Sequence, residues 1–591
     1  MLLALANDEY FRISKDPTTL ITDINTRVRA LLREYDKESF AQEIAISLPN
    51  SKDNHKKNRR AIVDCIQELK SINIKSAINS GADLLGQFYE IFLKYANDSK
   101  EIGIVLTPRH ITRFAANATD VTKRDYIYDP TCGTGGFLVS ALDRVKKTSP
   151  SVFATFKTSH IFGIEQDAEV VGLALVNMIF RGDGNSNIYE GNSLDYLFMK
   201  SKSDNKILKL PIKDYDPEKH ERFITRTLMN PPFAILEEEH RFIDHALSQM
   251  VDGGLLFAIL PTSTLTSTSN SRGEITWRKE LLQRHTLKGV IKLSDDLFLP
   301  NAHKGTYAVV IEAHKPHGNK KVFWAIMDDG FSMKKSKRLP NLNVPSNYNL
   351  MLETLQKWLI NNEEPDQRSR LINCSEIDLA DATLDCGAEA YLRDTLNKNI
   401  DISLVTSNLF SALLHQRRAS DVELKKGDFK AIPIGDIIEN IFRGDCKPLN
   451  NIPSGKMPVV TTTEEDNGID GYYEMSEATV FEDAITVPAN GSKYKAFYHP
   501  YQFVAVPDVL VIKVKPEYDF FEMKLFICAM INQSSWRFSY FRKCNEFKIK
   551  KDVKVAIPIT DTGKVDKEYI VKSISGTTEY AGIRDLMKSR N

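Results

Sequence analysis

The chain has no net charge: lysine plus arginine and aspartate plus glutamate number 78 each over 591 residues. A uniformly basic coat is excluded, so any nucleic-acid footprint has to be local. Long apolar runs are also missing. None approaches the roughly 18 residues of a membrane-spanning helix. The apolar start, Met1 to Ala6, is broken at Asp8 and Glu9 and reads as too short for a signal peptide. The seven cysteines (Cys65, Cys132, Cys374, Cys386, Cys446, Cys528 and Cys544) are odd in number and lack metal-ligand spacing. Free thiols in a reducing cytoplasm are expected, with no metal site and no membrane partner. There is no internal repeat and no low-complexity tract. With 42% hydrophobic and 26% charged residues, the composition is that of ordinary globular domains. The length allows roughly two to four of them.

What is present falls into segments. Residues 1–98 read as a helical region, with helix-period apolar faces over Ile24 to Leu32, Ala61 to Ile72 and Leu84 to Tyr95. Over residues 99–325 short β-rich runs alternate with helical ones. Candidate strands are 125–128, 160–164, 225–229, 254–260 and 287–293, and candidate helices are 136–145, 168–180 and 240–250. Such alternation predicts a mostly parallel sheet with helices on both faces. Residues 326–427 read as an extension and connector. A second, mixed α/β domain spans 428–560, with turn signals at Asn467-Gly468, Asp470-Gly471 and Asn490-Gly491 and a helix from Phe521. Residues 561–591 read as a C-terminal tail. Three basic runs, Lys52 to Arg60, Lys334 to Arg338 and Arg542 to Lys554, each read first as solvated surface.

The first chemical signal is Asp129-Pro-Thr-Cys-Gly-Thr-Gly-Gly-Phe137 after a strand. A strand, a glycine-rich turn and a helix bring backbone N–H groups close to a ligand at a strand's carboxyl end. Gly133, Gly135 and Gly136 remove the Cβ atoms that would block the approach. The spacing is neither the dinucleotide pattern nor a phosphate loop, so a ligand without phosphate is implied. Asp129 suits a cation, and S-adenosylmethionine carries a sulfonium and an ammonium. Thr131 lies in the same loop. A second acid is expected after the next strand to hold ribose hydroxyls. Glu165 is favoured for this over Asp167, which also reads as a helix N-cap. Upstream, Thr107-Pro108-Arg109 has the form of a helix start, with Thr as cap.

The second signal is Asn230-Pro-Pro-Phe233, about 100 residues on and after another strand. A Pro-Pro pair cannot continue a strand and leaves the turn little freedom. The Asn230 side-chain oxygen and the Pro231 carbonyl are then two fixed acceptors for both hydrogens of an exocyclic amine. Such an amine on adenine is a poor nucleophile, because its lone pair is delocalised. Bonding both N–H groups favours a tetrahedral nitrogen able to attack a sulfonium methyl group. Pro232 stiffens the turn and Phe233 can stack on the base. Between the two motifs, Gly191-Asn-Ser-Leu-Asp195 offers Asn192 to the cofactor and Asp195 to the cofactor's adenine or to the substrate, against a plain loop cap.

Together these residues resemble the gamma class of amino-methyltransferases, in the order found in type I restriction-modification methylation subunits, over about residues 84–315. The resemblance implies a Rossmann-like S-adenosylmethionine-dependent methyltransferase domain. It implies that Thr107 and Pro108 line the cofactor pocket, and it makes adenine N6 in duplex DNA the expected target. Residues 428–560 resemble the target-recognition domain of type I specificity subunits, carried by Ile434 to Ile438, Val459 to Tyr472, Pro488 to Ser492 and Asp508 to Ile512. A fusion of the two is similar to single-chain type IIG enzymes, which also carry a nuclease. No pair of metal-binding acids followed by Glu-x-Lys is found in residues 1–100, so a nuclease is expected to be absent, removed or separate. Candidate partners are duplex DNA, a restriction nuclease, a specificity subunit and a second copy of the chain. Candidate DNA contacts are Ser492, Lys493, Arg542, Lys543 and Lys548, the last three interleaved with aromatics that more often form core. Two rival readings stand beside this one: an amino-methyltransferase for protein glutamine or RNA, and a non-catalytic DNA-binding sensor of methylation.

Overall fold

The computed structural model describes residues 12–34, 37–42, 45–47, 52–71, 106–179, 187–233, 237–299, 305–334, 337–341, 346–365, 371–392, 428–449, 452–475, 477–490, 494–538 and 542–575, with the single residues 4 and 580. The helix expected over 84–95 lies outside these. The chain divides into two compact units, Met1–Pro365 with Cys374–Gly387 and Asp366–Asn373 with Ala388–Asn591. Among the described residues no helix is long and apolar enough to cross a membrane.

The first unit begins with the helices Pro17–Glu34 and Lys52–Ser71. Ile24, Val28, Leu31 and Leu32 of one and Ile62, Ile66 and Leu69 of the other share a buried cluster. Their spacing of three, four and seven residues makes one apolar stripe per helix.

Next come the strands β1 (Ile127–Asp129), β2 (Ile161–Glu165), β3 (Asn187–Glu190), β4 (Tyr196–Ser201), β5 (Ile207–Pro211), β6 (His220–Glu221), β7 (Ile224–Met229), β8 (Met250–Pro261), β9 (Thr286–Lys292), β10 (Thr306–Glu312), β11 (Lys321–Ile326), β12 (Phe331–Lys334), β13 (Lys337–Pro340) and β14 (Ile372–Glu376). Nine of them form one sheet in the order β14-β11-β9-β10-β8-β7-β1-β2-β3. Neighbours from β8 to β3 are parallel, whereas β10 runs antiparallel to both β8 and β9. The inner strands are buried along nearly their whole length, which is why they read as continuous apolar runs without alternation. The helices Gly136–Thr148, Ala168–Ile179 and Glu239–Gln249 pack on these strands. All five expected strands and three expected helices appear, with ends shifted by a few residues. The small β5-β4-β6 sheet and the β12-β13 hairpin were not foreseen.

The second unit holds β15 (Asp428–Pro433), β16 (Ile438–Arg443), β17 (Ser454–Val460), β18 (Ile469–Tyr473), β19 (Ala484–Pro488), β20 (Phe497–His499), β21 (Val504–Ala505), β22 (Val509–Val514) and β23 (Lys554–Ile559). They form three small sheets: β16-β22-β19-β20, β18-β17-β21 and β15-β23. Asn467-Gly468 turns β17 into β18, both residues at positive φ. Asp470-Gly471, expected as a turn, lies inside β18 opposite Val459. The helix Phe521–Gln533 is buried on most sides, with Met523 to Ile531 all in the core. Residues 561–591, expected as a tail, carry the helix Lys567–Ser575 instead. Its Ile570 and Ile574, one turn apart, enter the same core.

Two of the candidate DNA contacts face inward. Arg542 is fully buried, 2.6 Å from the Asp552 carboxylate, and donates to the Arg537 carbonyl at 2.9 Å. Lys548 is buried on the helix Glu546–Asp552, beside Ile549 and Asp552. Neither can reach a phosphate. A guanidinium in this core needs a carboxylate, and Asp552 supplies it. Lys543 is exposed, and Ser492 and Lys493 lie outside the described residues. Replacing Asp552 by Ala is expected to cost about 3–5 kcal/mol, because it removes the hydrogen-bonded carboxylate of a buried cation, with Glu389 farther off at 3.9 Å. Lys543→Ala should change stability by no more than about 0.5 kcal/mol. Urea unfolding followed through Trp536, the one tryptophan of this unit, checks both. A stable Asp552→Ala variant would refute the pairing.

Candidate active site

β7, β1 and β2 lie side by side and parallel, so their carboxyl ends share one edge of the sheet. Chain order reverses at β1: β2 and β3 extend to one side, while the chain returns to place β7 on the other. A crevice opens at such a reversal, outside the strand ends. The two sequence signals meet there. Asp129 ends β1, and Asn230 follows Met229, the last residue of β7. The Thr131 hydroxyl donates to the Asn230 carbonyl at 3.3 Å and joins the two turns.

The glycine turn is tight. Gly133 and Gly135 sit at φ +53° and +79°, a region that L side chains disfavour. A Cβ on Gly133 would meet nothing within 4 Å, so the turn opens on free space there. Gly135, by contrast, backs onto Met178 and Ala174. Gly136 begins the following helix, and the Arg109 guanidinium donates to its carbonyl at 3.3 Å.

Two acids line the edge. Asp129 is buried and accepts the Thr131 N–H at 3.1 Å. Burial pushes its carboxyl well above the usual carboxylate range, and the charge of Glu165 adds to the shift. Glu165 accepts backbone N–H groups from Gly133 at 3.0 Å, Gln166 at 2.8 Å and Asp167 at 3.1 Å. Its carboxyl is also raised by burial, against the pull of those three bonds. Asp167 caps the next helix by accepting from Glu169 and Val170 at 2.9 and 3.1 Å. The Gly191 N–H donates to the Glu165 carbonyl at 2.9 Å, which ties the 191–195 turn to the same edge. There Asn192 forms a local cap by accepting from the Leu194 N–H at 3.1 Å, and Asp195 is exposed.

Thr107 does not cap its helix. The helix starts at Arg109, with Pro108 at the cap position and no side-chain cap bond. The Thr107 hydroxyl instead accepts from the Asn230 side-chain N–H at 3.0 Å. With its nitrogen so engaged, the Asn230 amide leaves Oδ1 buried and without a hydrogen-bond partner among the described residues. Pro231 is buried and Pro232 half-buried. The Phe233 ring meets Phe298 edge to face, with centroids 5.5 Å apart. The edge thus gathers Thr107, Pro108, Asp129, Thr131, Gly133, Gly135, Gly136, Glu165 and residues 230–233. Phe298 and Arg109 were missed in the sequence, since nothing local marks a lone Phe or Arg as reaching a turn elsewhere in the chain.

A parallel sheet with a switch point, a glycine turn and an Asn-Pro-Pro-Phe turn at neighbouring strand ends defines an α/β fold of the Rossmann-like methyltransferase class. The chain belongs to the N-6 DNA Methylase family, which matches residues 80–396. It is 35% identical over 268 residues to the type II restriction enzyme and methyltransferase RM.BcgI of Heyndrickxia coagulans, covering 44% of this chain and 39% of that one. It is 27% identical over 318 residues to the type I restriction enzyme EcoEI methylase subunit of Escherichia coli, covering 51% and 57%. It is also 28% identical over 130 residues to the specificity subunit S.BcgI of Heyndrickxia coagulans, covering 22% and 36%. The chain spans about half the length of the curated relatives it matches, or less.

The raised carboxyl of Asp129 has a consequence for stability. A raised folded pKa contributes stability that is fully present below the unfolded value, about 3.9 for Asp. That contribution is lost as pH rises through the folded value. Asp129→Asn removes the titration. The ligand-free variant should therefore melt increasingly above the wild-type chain as pH rises from about 4 toward the folded value. Parallel melting curves for the two proteins across that range would refute the assignment.

Proposed function

We propose that the chain is an adenine-specific DNA methyltransferase, modifying N6 of a base turned out of a defined duplex sequence. The observation that carries this reading is the buried Asn230 Oδ1 without a donor. Leaving a buried acceptor unsatisfied costs about 1–3 kcal/mol, so the site is built for a donor that arrives from outside. The Asn230 side-chain N–H bonds to the Thr107 hydroxyl, which leaves Oδ1 as the end of the amide open to that donor. Asn230 Oδ1 and the Pro231 carbonyl then take the two N–H groups of the adenine amine and hold its nitrogen pyramidal. Neither acceptor reorganises during the reaction, which makes the contribution one of positioning and fixed dipoles. Phe233 stacks on the base. An adenine inside a duplex cannot reach this turn, so it has to be extruded.

The cofactor that fits is S-adenosylmethionine, which when bound supplies a methyl group on a positively charged sulfur. A bound cation would offset the burial that raises the Asp129 carboxyl, by favouring its charged form. The open space over Gly133 lets a ligand come close to the backbone. Glu165 keeps lone-pair capacity for a ribose hydroxyl beyond its three backbone bonds. Thr107, Pro108, Thr131, Gly135, Gly136, Asn192 and Asp195 complete the proposed pocket. The second unit is proposed as the target reader, in keeping with a 130-residue likeness of this chain to a specificity subunit. Lys543, Ser492 and Lys493 remain its candidate contacts. A restriction-modification role is supported by the relatives' names, and the cytoplasm is the proposed location. The proposed partners are a specificity subunit, a restriction nuclease or a second copy of the chain.

The test is methyl incorporation from labelled S-adenosylmethionine into duplex DNA, with digestion to nucleosides and mass spectrometry. N6-methyladenine is expected. Asn230→Ala should lower kcat by about 100- to 1000-fold, the usual cost of losing one fixed dipole at a reacting group, with little change in cofactor binding. Label on RNA or a glutamine peptide but not on DNA, or DNA binding without label, would overturn the reading.

A further inference from the structure

Away from the two motifs, a buried ionic hub lies beside the site. Asp329, 2% exposed at its side chain, follows β11. Its carboxylate accepts two N–H groups of Arg338 at 2.6 and 2.7 Å, and His110 Nε2 lies 2.7 Å away. The Ser294 hydroxyl reaches it at 3.3 Å and the Phe331 N–H at 3.2 Å. Burial acts to raise this carboxyl, but the bonds from His110 and Arg338 outweigh it and hold it well below the usual range. Arg338 also donates through Nε to Asp296 at 2.9 Å. The other Asp296 oxygen accepts the Met333 N–H at 2.9 Å. The Arg338 fork therefore bridges two carboxylates on two different segments.

Each end of the hub leads to one end of the Asn-Pro-Pro-Phe turn. His110 lies in the first helical turn after Thr107, whose hydroxyl holds the Asn230 amide. It is fixed there by Asp329, by a stacked contact with Phe331 at 5.7 Å, and by a Tyr348 hydroxyl bond to its carbonyl at 3.0 Å. Asp296 lies two residues before Phe298, the ring that meets Phe233. We propose that Arg338, bridging Asp329 and Asp296, is a positioning residue that clamps the 230–233 turn from both ends and fixes where the extruded base sits. This rests on the methyltransferase reading above. Arg suits the role because its planar fork holds carboxylates in set directions, whereas a lysine is a point charge with no fork.

The test uses the full chain with Arg338→Lys, Arg338→Met and Asp296→Asn. The last leaves the Asp329–Arg338 pair in place, which guards against simple unfolding. The proposal expects kcat on duplex DNA to fall by about 100-fold from a misplacement on the order of 1 Å. For Asp296→Asn, which keeps the Asp329–His110 arm behind Thr107, it expects KM for S-adenosylmethionine to stay within about twofold, since an interaction used in the chemical step is lost rather than one used in uniform binding. Hydrogen–deuterium exchange should quicken in residues 229–233 and 293–299 and stay unchanged in 129–136. Wild-type kcat in variants that melt like the wild type would overturn the clamp. So would exchange that quickens evenly across the first unit. Exchange needs no turnover, so a wild-type chain that methylates no DNA would refute the proposed function while the exchange pattern still decides the clamp.

Discussion

The arrangement depends on the pairing of β1 with β7. These strands are far apart in sequence, yet Ile127 lies opposite Arg226 and Tyr128 opposite Thr227, so their ends fall within one residue of each other. A slip of one residue would shift Asp129 by roughly 3.3 Å along the strand and turn its side chain to the other face. The Thr131–Asn230 bond closes the two turns over that pairing. On the other side of β1 the match is equally tight. Gly163 pairs with Asp129, and a Cβ there would come within 2.9 Å of Leu138 and 3.1 Å of the Cys132 sulfur. Close packing of strand, turn and following helix thus sets where the acids and the Asn230 amide stand.

That edge is poorly stabilised by its own contacts. It holds two acids whose charged forms burial disfavours, and an amide oxygen with no donor. Each is a local cost that persists only because the surroundings fix the geometry. The surroundings are strong. β8, β9 and β10 are buried along most of their length, and β10 pairs with both of the others. The division fits a site whose polar groups await a ligand, since optimising them for the empty state would weaken them for the bound one.

What was legible in the sequence is what is encoded locally. The glycine turn and the Asn-Pro-Pro-Phe turn announce themselves by residue type and by the strand just before each. Their meeting follows once the sheet is taken as parallel with a switch point. Asp167 as a helix cap was legible for the same reason. Thr107 was misleading, because Thr-Pro has the local form of a cap while its hydroxyl is used by Asn230, 123 residues away. The hub was invisible. His110 and Asp329 are 219 residues apart, and Arg338 stands in a run that looks solvated. Strands β10 and β11 escaped because apolar runs buried on both faces show no period that separates strand from helix.

The basic runs carry the sharper lesson about charge. Arg338, Arg542 and Lys548 were each read from composition as surface or as phosphate contacts. All three are buried or nearly so, and both arginines are bonded to carboxylates. A desolvated guanidinium is tolerated only with such a partner, so a basic residue near acids in space but not in sequence is withdrawn from the electrostatic footprint. With net charge already zero, each withdrawal leaves fewer cations to meet a polyanion. In the proposed complex with duplex DNA, phosphate contacts and their salt dependence fall to exposed cations of the second unit, Lys543 among them. Discrimination between sequences would have to come from groups able to read base edges, because phosphate contacts position a duplex without reading it.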